Sequence, residues 1–156
     1  MKKITYSFLI ILLFALSNQT SSFAQNSHSN TDATKIQKNL IDSLIISIDD
    51  NYDILHSDYT PSVHKLSELG IPAIIAIIPL LSNAKQDTRL HAQRVFEGVI
   101  YRMNGFVSGQ GFTINGGEEK SRIILKSIGY DWQNIDAAKM QTGINNLKKW
   151  VAENQK

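Results

Sequence analysis

The chain of 156 residues contains no cysteine. That excludes disulfide staples, thiolate catalysis, cysteine-ligated zinc and lipid attachment through an N-terminal cysteine. A domain without such staples must be held by its apolar core alone, which a chain of this length can supply. Surplus charge is lacking as well. Sixteen Lys and Arg stand against fourteen Asp and Glu, but Lys2 and Lys3 open a segment that reads as a targeting signal, and without them the two counts are equal. Overall charge therefore gives no basic face for nucleic acid. No apolar run is long enough to span a bilayer. The longest, Ile4 to Leu16, covers 13 residues, where about 20 are needed.

That run has the layout of a secretory signal peptide. Lys2-Lys3 form the positive region, Ile4 to Leu16 the apolar region, and Ser22-Phe23-Ala24 a small-residue cleavage site. Cleavage after Ala24 is expected, placing the mature chain in the periplasm or outside the cell with no membrane span. Residues 25–32 (QNSHSNTD) are a polar tether without apolar side chains, expected to be disordered. A single domain is expected over 33–153.

Within it, helical spacing dominates. Ile36, Leu40, Leu44 and Ile48 recur every four residues, with Ile41 and Ile45 beside them. Thr60 is placed to cap a helix with Pro61 at its first position, carrying Val63, Leu66 and Leu69 inward and ending at Gly70. Pro72 to Leu81 is apolar nearly all round, so that helix must be central, and Pro79 should kink its last turn. Asp87 or Thr88 is the expected cap of the next helix, whose stripe is Ala92, Val95, Phe96, Val99, Ile100 and Met103. Gly105 to Gly117 (GFVSGQGFTINGG) holds five glycines and two short β-prone runs, which suggests a small hairpin or ordered loop. A helix carrying Ile123, Ile124 and Ile128 follows. The last helix places Met140, Ile144, Leu147 and Val151 on one face, with Trp150 adjoining. The expected fold is all-α, with five to six helices and one glycine-rich insertion.

Two stretches carry a family resemblance. Leu66-Ser67-Glu68-Leu69-Gly70-Ile71-Pro72-Ala73-Ile74 resembles the turn between the helices of a HEAT-like repeat. Asp87-Thr88-Arg89 followed by Ala92, Val95, Phe96 and Val99 is similar to the start of the next repeat, and Leu147-Lys148-Lys149-Trp150 to the end helix of small bacterial HEAT-like domains. About two repeats fit, below the three or so that a solenoid usually needs. The expectation is thus a compact domain capped by Ile36–Ile48 and Met140–Val151. The resemblance implies a binding scaffold with a protein partner, and it brings neither catalytic residues nor a cofactor.

Catalytic and metal patterns are thin. Gly109-Gln110-Gly111 lacks the spacing and strand context of a phosphate-binding loop, and neither Gly-x-Ser-x-Gly nor His-Glu-x-x-His occurs. His56, Asp58 and His64 fall within nine residues, but they read as exposed or locally bonded groups rather than metal ligands. Arg89 is expected to brace the turn before its helix, by way of Asp87. Arg94 and Glu97 are expected to pair on the surface. The residues singled out for ligand or partner binding are Tyr101 and Arg102, beside the glycine-rich segment, with Phe106 and Phe112 inside it. Compact loops on rigid scaffolds often carry function. A non-enzymatic binding module is the leading expectation. The alternatives are a periplasmic inhibitor or immunity protein, and an envelope hydrolase using His56, His64 or Glu97.

Overall fold

The computed structural model of the protein describes residues 32–50 and 58–155. The expected signal peptide, all of the tether but Asp32, and His56 lie outside these residues. The chain divides into two units, Met1–Leu40 and Ile41–Lys156. In the first, residues 32–40 are helical, with Ile36 and Leu40 exposed. Periodicity marks the face a helix can bury, not the length over which a neighbour covers it. The second unit is all-α, and the architecture below is its own.

In this unit residues 41–46 are helical (α1), with Ile41 buried in the core together with Ile48 just beyond the helix. Thr60 then does two jobs. Its hydroxyl accepts from the Val63 amide at 3.2 Å, capping α2 (Pro61–Glu68), and donates to the Ile48 carbonyl at 2.8 Å. Thr60 is fully buried, so both bonds are sheltered from water. The chain turns at Gly70, where φ is 73° and ψ −151°, a region essentially restricted to glycine. Helix α3 (Ile71–Ile77) follows at once. A single kinked helix to Leu81 was expected, but Ile78–Ser82 tightens into a 3-10 turn. Pro79 has no N–H for the Ile75 carbonyl, so the α-helical ladder stops there.

The central element is α4 (Gln86–Met103), which packs on α2, α3, the 3-10 turn, α5 and β1. Its buried side chains include Leu90, Ala92, Val95, Phe96, Val99 and Ile100, close to the expected stripe, while Met103 is exposed. The expected cap residues are used otherwise. The N-cap is Lys85, whose side chain makes no capping bond to the helix, and Thr88 is buried one turn in.

The glycine-rich segment is a hairpin, β1 (Phe106–Val107) and β2 (Gly111–Phe112), in antiparallel register with Phe106 opposite Phe112. It leads into α5 (Gly117–Ile128). Gly117 is pressed so close to the Asn104 carbonyl oxygen that no Cβ would fit. That contact fixes the rotation of α5. Gly117, Ser121 and Ile128 are buried and Ile124 and Leu125 half-buried, while Ile123, expected inside, is exposed. Helix α6 (Ala137–Asn154) is capped by Asp136, whose carboxylate accepts from the Ala138 and Lys139 amides. It buries Ile144, Leu147 and Val151 and lays Gly143 against Tyr130.

Tyr130 ties the α5–α6 connection to the core. Its ring meets Phe96 edge-on at 6.0 Å, and its hydroxyl donates to the Leu81 carbonyl at 2.6 Å. Burial pushes the phenol up to about 12 from the ordinary 10, partly opposed by Arg89. A pKa raised on folding contributes stability that is complete below pH 10 and is lost as the pH rises through about 12. Tyr130→Phe is expected to lose about 1 kcal/mol at neutral pH and to remove the last tyrosinate step from an ultraviolet titration of the folded protein. Survival of that step in the variant would refute the assignment.

Candidate functional site

The site is built from three pieces that converge above the α2–α4 crossing. On α2, Pro61, His64 and Ser67 follow at three-residue intervals along one face. On α4, Gly98, Tyr101 and Arg102 occupy i, i+3 and i+4, and therefore one face as well. The helices approach most closely at Ser67 and Gly98: a Cβ on Gly98 would lie 2.7 Å from that of Ser67. Two small residues thus form a low floor, and longer side chains to either side form the walls.

The hairpin supplies the third piece. As a cross-strand pair, Phe106 and Phe112 share a face of the ribbon. Their ring centroids are 5.4 Å apart, and both meet the Tyr101 ring, at 6.2 Å and 5.7 Å. The interplanar angles of 50° to 87° are the tilted and edge-to-face arrangements that aromatic quadrupoles prefer. On the opposite side Tyr59 stacks on His64 at 5.3 Å. Between the two aromatic groups lies a half-enclosed groove of about 930 Å³, to which Ser108 also contributes.

The charges are arranged around its rim. Behind Tyr59, Arg94 donates to Asp58 at 2.9 Å and to Glu97 at 2.6 Å, and its guanidinium lies 5.8 Å from the Tyr59 ring centre. Glu97 is buried and also accepts from Gln93, so the pair expected on the surface is part of a sheltered network. Burial pushes the Tyr59 phenol up, partly opposed by Arg94 and reinforced by Glu97 and Asp58. Burial does the same for Tyr101, with Glu97 adding to it. Both therefore remain neutral hydroxyls at physiological pH. Arg102 faces Glu68 at 3.9 Å, and Glu68 is held more closely by Lys65 at 2.9 Å. Among the described residues, no Asp or Glu lines the groove.

All four residues singled out from the sequence, Tyr101, Arg102, Phe106 and Phe112, line this groove. The α2 wall and the Gly98 floor were not foreseen. A glycine inside α4, next to the buried Val99, was the available signal, because an isolated glycine in a helical pattern often has a packing reason. His64 lines the groove rather than joining a ligand set. Among the described residues no three His, Cys, Asp or Glu gather around a common point.

Two further clusters are structural. Arg89, 9% exposed, donates to the backbone carbonyls of Trp132, Asn83 and Ala84. It braces the turn before α4 as expected, though through carbonyls and not through Asp87. Asp49 accepts from Thr88 at 2.6 Å and Lys85 at 2.9 Å, and lies 2.6 Å from His91 Nδ1. Burial pushes its carboxyl up, but the hydrogen bonds from Thr88, His91 and Lys85 outweigh this and hold it below the ordinary carboxylate value. The cluster fastens the segment after α1 to the first turns of α4. No protein-family model matches the chain, and neither a curated protein nor a solved structure matches it at a significant level.

Proposed function

We propose that this chain is an exported, non-enzymatic protein- or ligand-binding module, HEAT-like in its helical pairing, whose binding site is the groove between α2, α4 and the hairpin. The observation that carries the reading is the groove itself. Its volume of about 930 Å³ falls within the roughly 300–1,000 Å³ usual for ligand sites. Its lining is aromatic with a few polar groups, the composition such sites favour. The core beneath it is closely packed: α4 and α2 make the most extensive helix contact among the described elements. Export is supported by the signal-like layout of Lys2 to Ala24, and the HEAT-like pairing by the Leu69-Gly70-Ile71-Pro72 corner between α2 and α3. The catalytic alternative has little support: His64 stacks on Tyr59, and Glu97 is occupied by Arg94 and Gln93.

A neutral apolar fluorophore, N-phenyl-1-naphthylamine, tests the site. Saturable one-site fluorescence enhancement is expected with the wild type. Phe112→Ala should weaken it about tenfold, since a truncated aromatic contact removes apolar area and ring–ring interaction together. Ile75→Ala, at the remote α2–α3 corner, should leave it unchanged. Absence of enhancement, or equal loss in both variants, would overturn the reading.

A further inference from the structure

The geometry points to a ligand of one chemical class for this groove: a small organic carboxylate carried on an aromatic or bulky apolar body. The inference rests on the groove being a binding site and goes on to name the occupant. The apolar half of the argument comes from Tyr101, Phe106 and Phe112, whose edge-to-face cluster lines one side, and from Tyr59 on the other. A flat or bulky hydrocarbon between them meets ring faces and edges at ordinary contact distance.

The polar half comes from charge complementarity. Among the described residues, Arg102 is the one Lys or Arg in the groove lining, and no carboxylate lines it. Its facing partner, Glu68, lies outside the lining and at 3.9 Å is beyond hydrogen-bonding distance. Glu68 is drawn instead to Lys65, at 2.9 Å. A guanidinium presents a planar fork of donors that matches a carboxylate with two parallel bonds. Arg102 is about one-third exposed, so a ligand carboxylate can reach it without breaking a buried pair. A cationic ligand would meet Arg102 with no carboxylate among the described lining residues to compensate. A partner protein's flat surface would leave the concave floor at Ser67 and Gly98 unfilled, which is why a small molecule is favoured.

Three probes with the same body separate the possibilities by calorimetry: 1-naphthaleneacetate, its neutral amide 1-naphthaleneacetamide, and 2-(1-naphthyl)ethylammonium. The acetate is expected to bind about tenfold more tightly than the amide, with the ammonium weakest. Arg102→Gln should bring acetate and amide to equal affinity while leaving the amide unchanged. Glu68→Gln, which removes the competing carboxylate, should tighten the acetate alone by about two- to fivefold. The acetate preference should shrink with added salt. Equal affinity of acetate and amide for the wild type, or a preference that survives Arg102→Gln, would overturn the carboxylate assignment and leave the groove reading intact. Failure of all three probes to bind would overturn the groove reading as well.

Discussion

Phe96→Ala is expected to lower the stability of the folded state by about 3–5 kcal/mol, the usual cost of removing a large aromatic from a core. Phe96 is 2% exposed and sits at mid-length on α4, the helix on which most of the others pack. Its ring also supports Tyr130, which in turn holds the Leu81 carbonyl. Truncation thus leaves a cavity and loosens the α5–α6 connection together. Natural domains of this size are stable by only about 5–15 kcal/mol, so the variant should unfold at a much lower urea midpoint. The slope of the transition should be unchanged if the denatured state is the same. Phe96→Leu, which restores most of the volume, should cost about 1.5 kcal/mol or less. A loss below about 1 kcal/mol for the alanine variant would contradict the central position given to α4.

Asp49→Asn is expected to cost about 1.5–3 kcal/mol at neutral pH, the range for hydrogen bonds to a charged acceptor. The substitution keeps the shape of the side chain but removes the charge, and it turns one acceptor toward Thr88, Lys85 or His91 into a donor. The pH dependence has a definite sign. Burial alone would raise the carboxyl, but the hydrogen bonds from Thr88, His91 and Lys85 leave it depressed on folding. A depressed carboxylate contributes stability that is present above its unfolded value, 3.8, and is lost as the pH falls through the folded value. The difference between wild type and variant should therefore be largest near neutrality and shrink as the pH falls below 3.8. Thermal unfolding of both proteins across that range reads it directly. A difference that stayed constant with pH would show that Asp49 acts through its shape and not through its charge.

Much of this fold was legible because local signals agreed with one another. Thr60-Pro61, Gly70 and Pro72 punctuate the chain through backbone chemistry that works at short range, and the helices fall where those residues place them. The glycine-rich segment was legible as a small hairpin or ordered loop for the same reason, and it is a hairpin. What the sequence could not supply were facts set by tertiary approach. The phase of α5 depends on Gly117 meeting the Asn104 carbonyl, so Ile123 was assigned inward on a periodicity that Ser121 and Leu125 fit as well. The cap of α4 was misread because Thr88 is drawn to Asp49, 39 residues away.

The groove divides in the same way. Tyr101, Arg102, Phe106 and Phe112 are neighbours along the chain, and an arginine and three rings around a glycine-rich turn stand out to the eye. Tyr59, Pro61, His64 and Ser67 come from a distant stretch and join them only through the crossing at Gly98. No periodicity announces such a wall. It exists because two small residues let two helices approach, and that is visible only once both helices are placed.

The groove as binding site is tested most directly by mapping a bound probe onto the backbone. Two-dimensional amide spectra of the isotopically labelled protein, titrated with 1-naphthaleneacetate, should show saturating shifts concentrated at Ser67, Gly98, Tyr101, Arg102, Phe106 and Phe112. Shifts centred instead on the Gly70–Ile75 corner, or a spectrum unmoved at saturating probe, would contradict it.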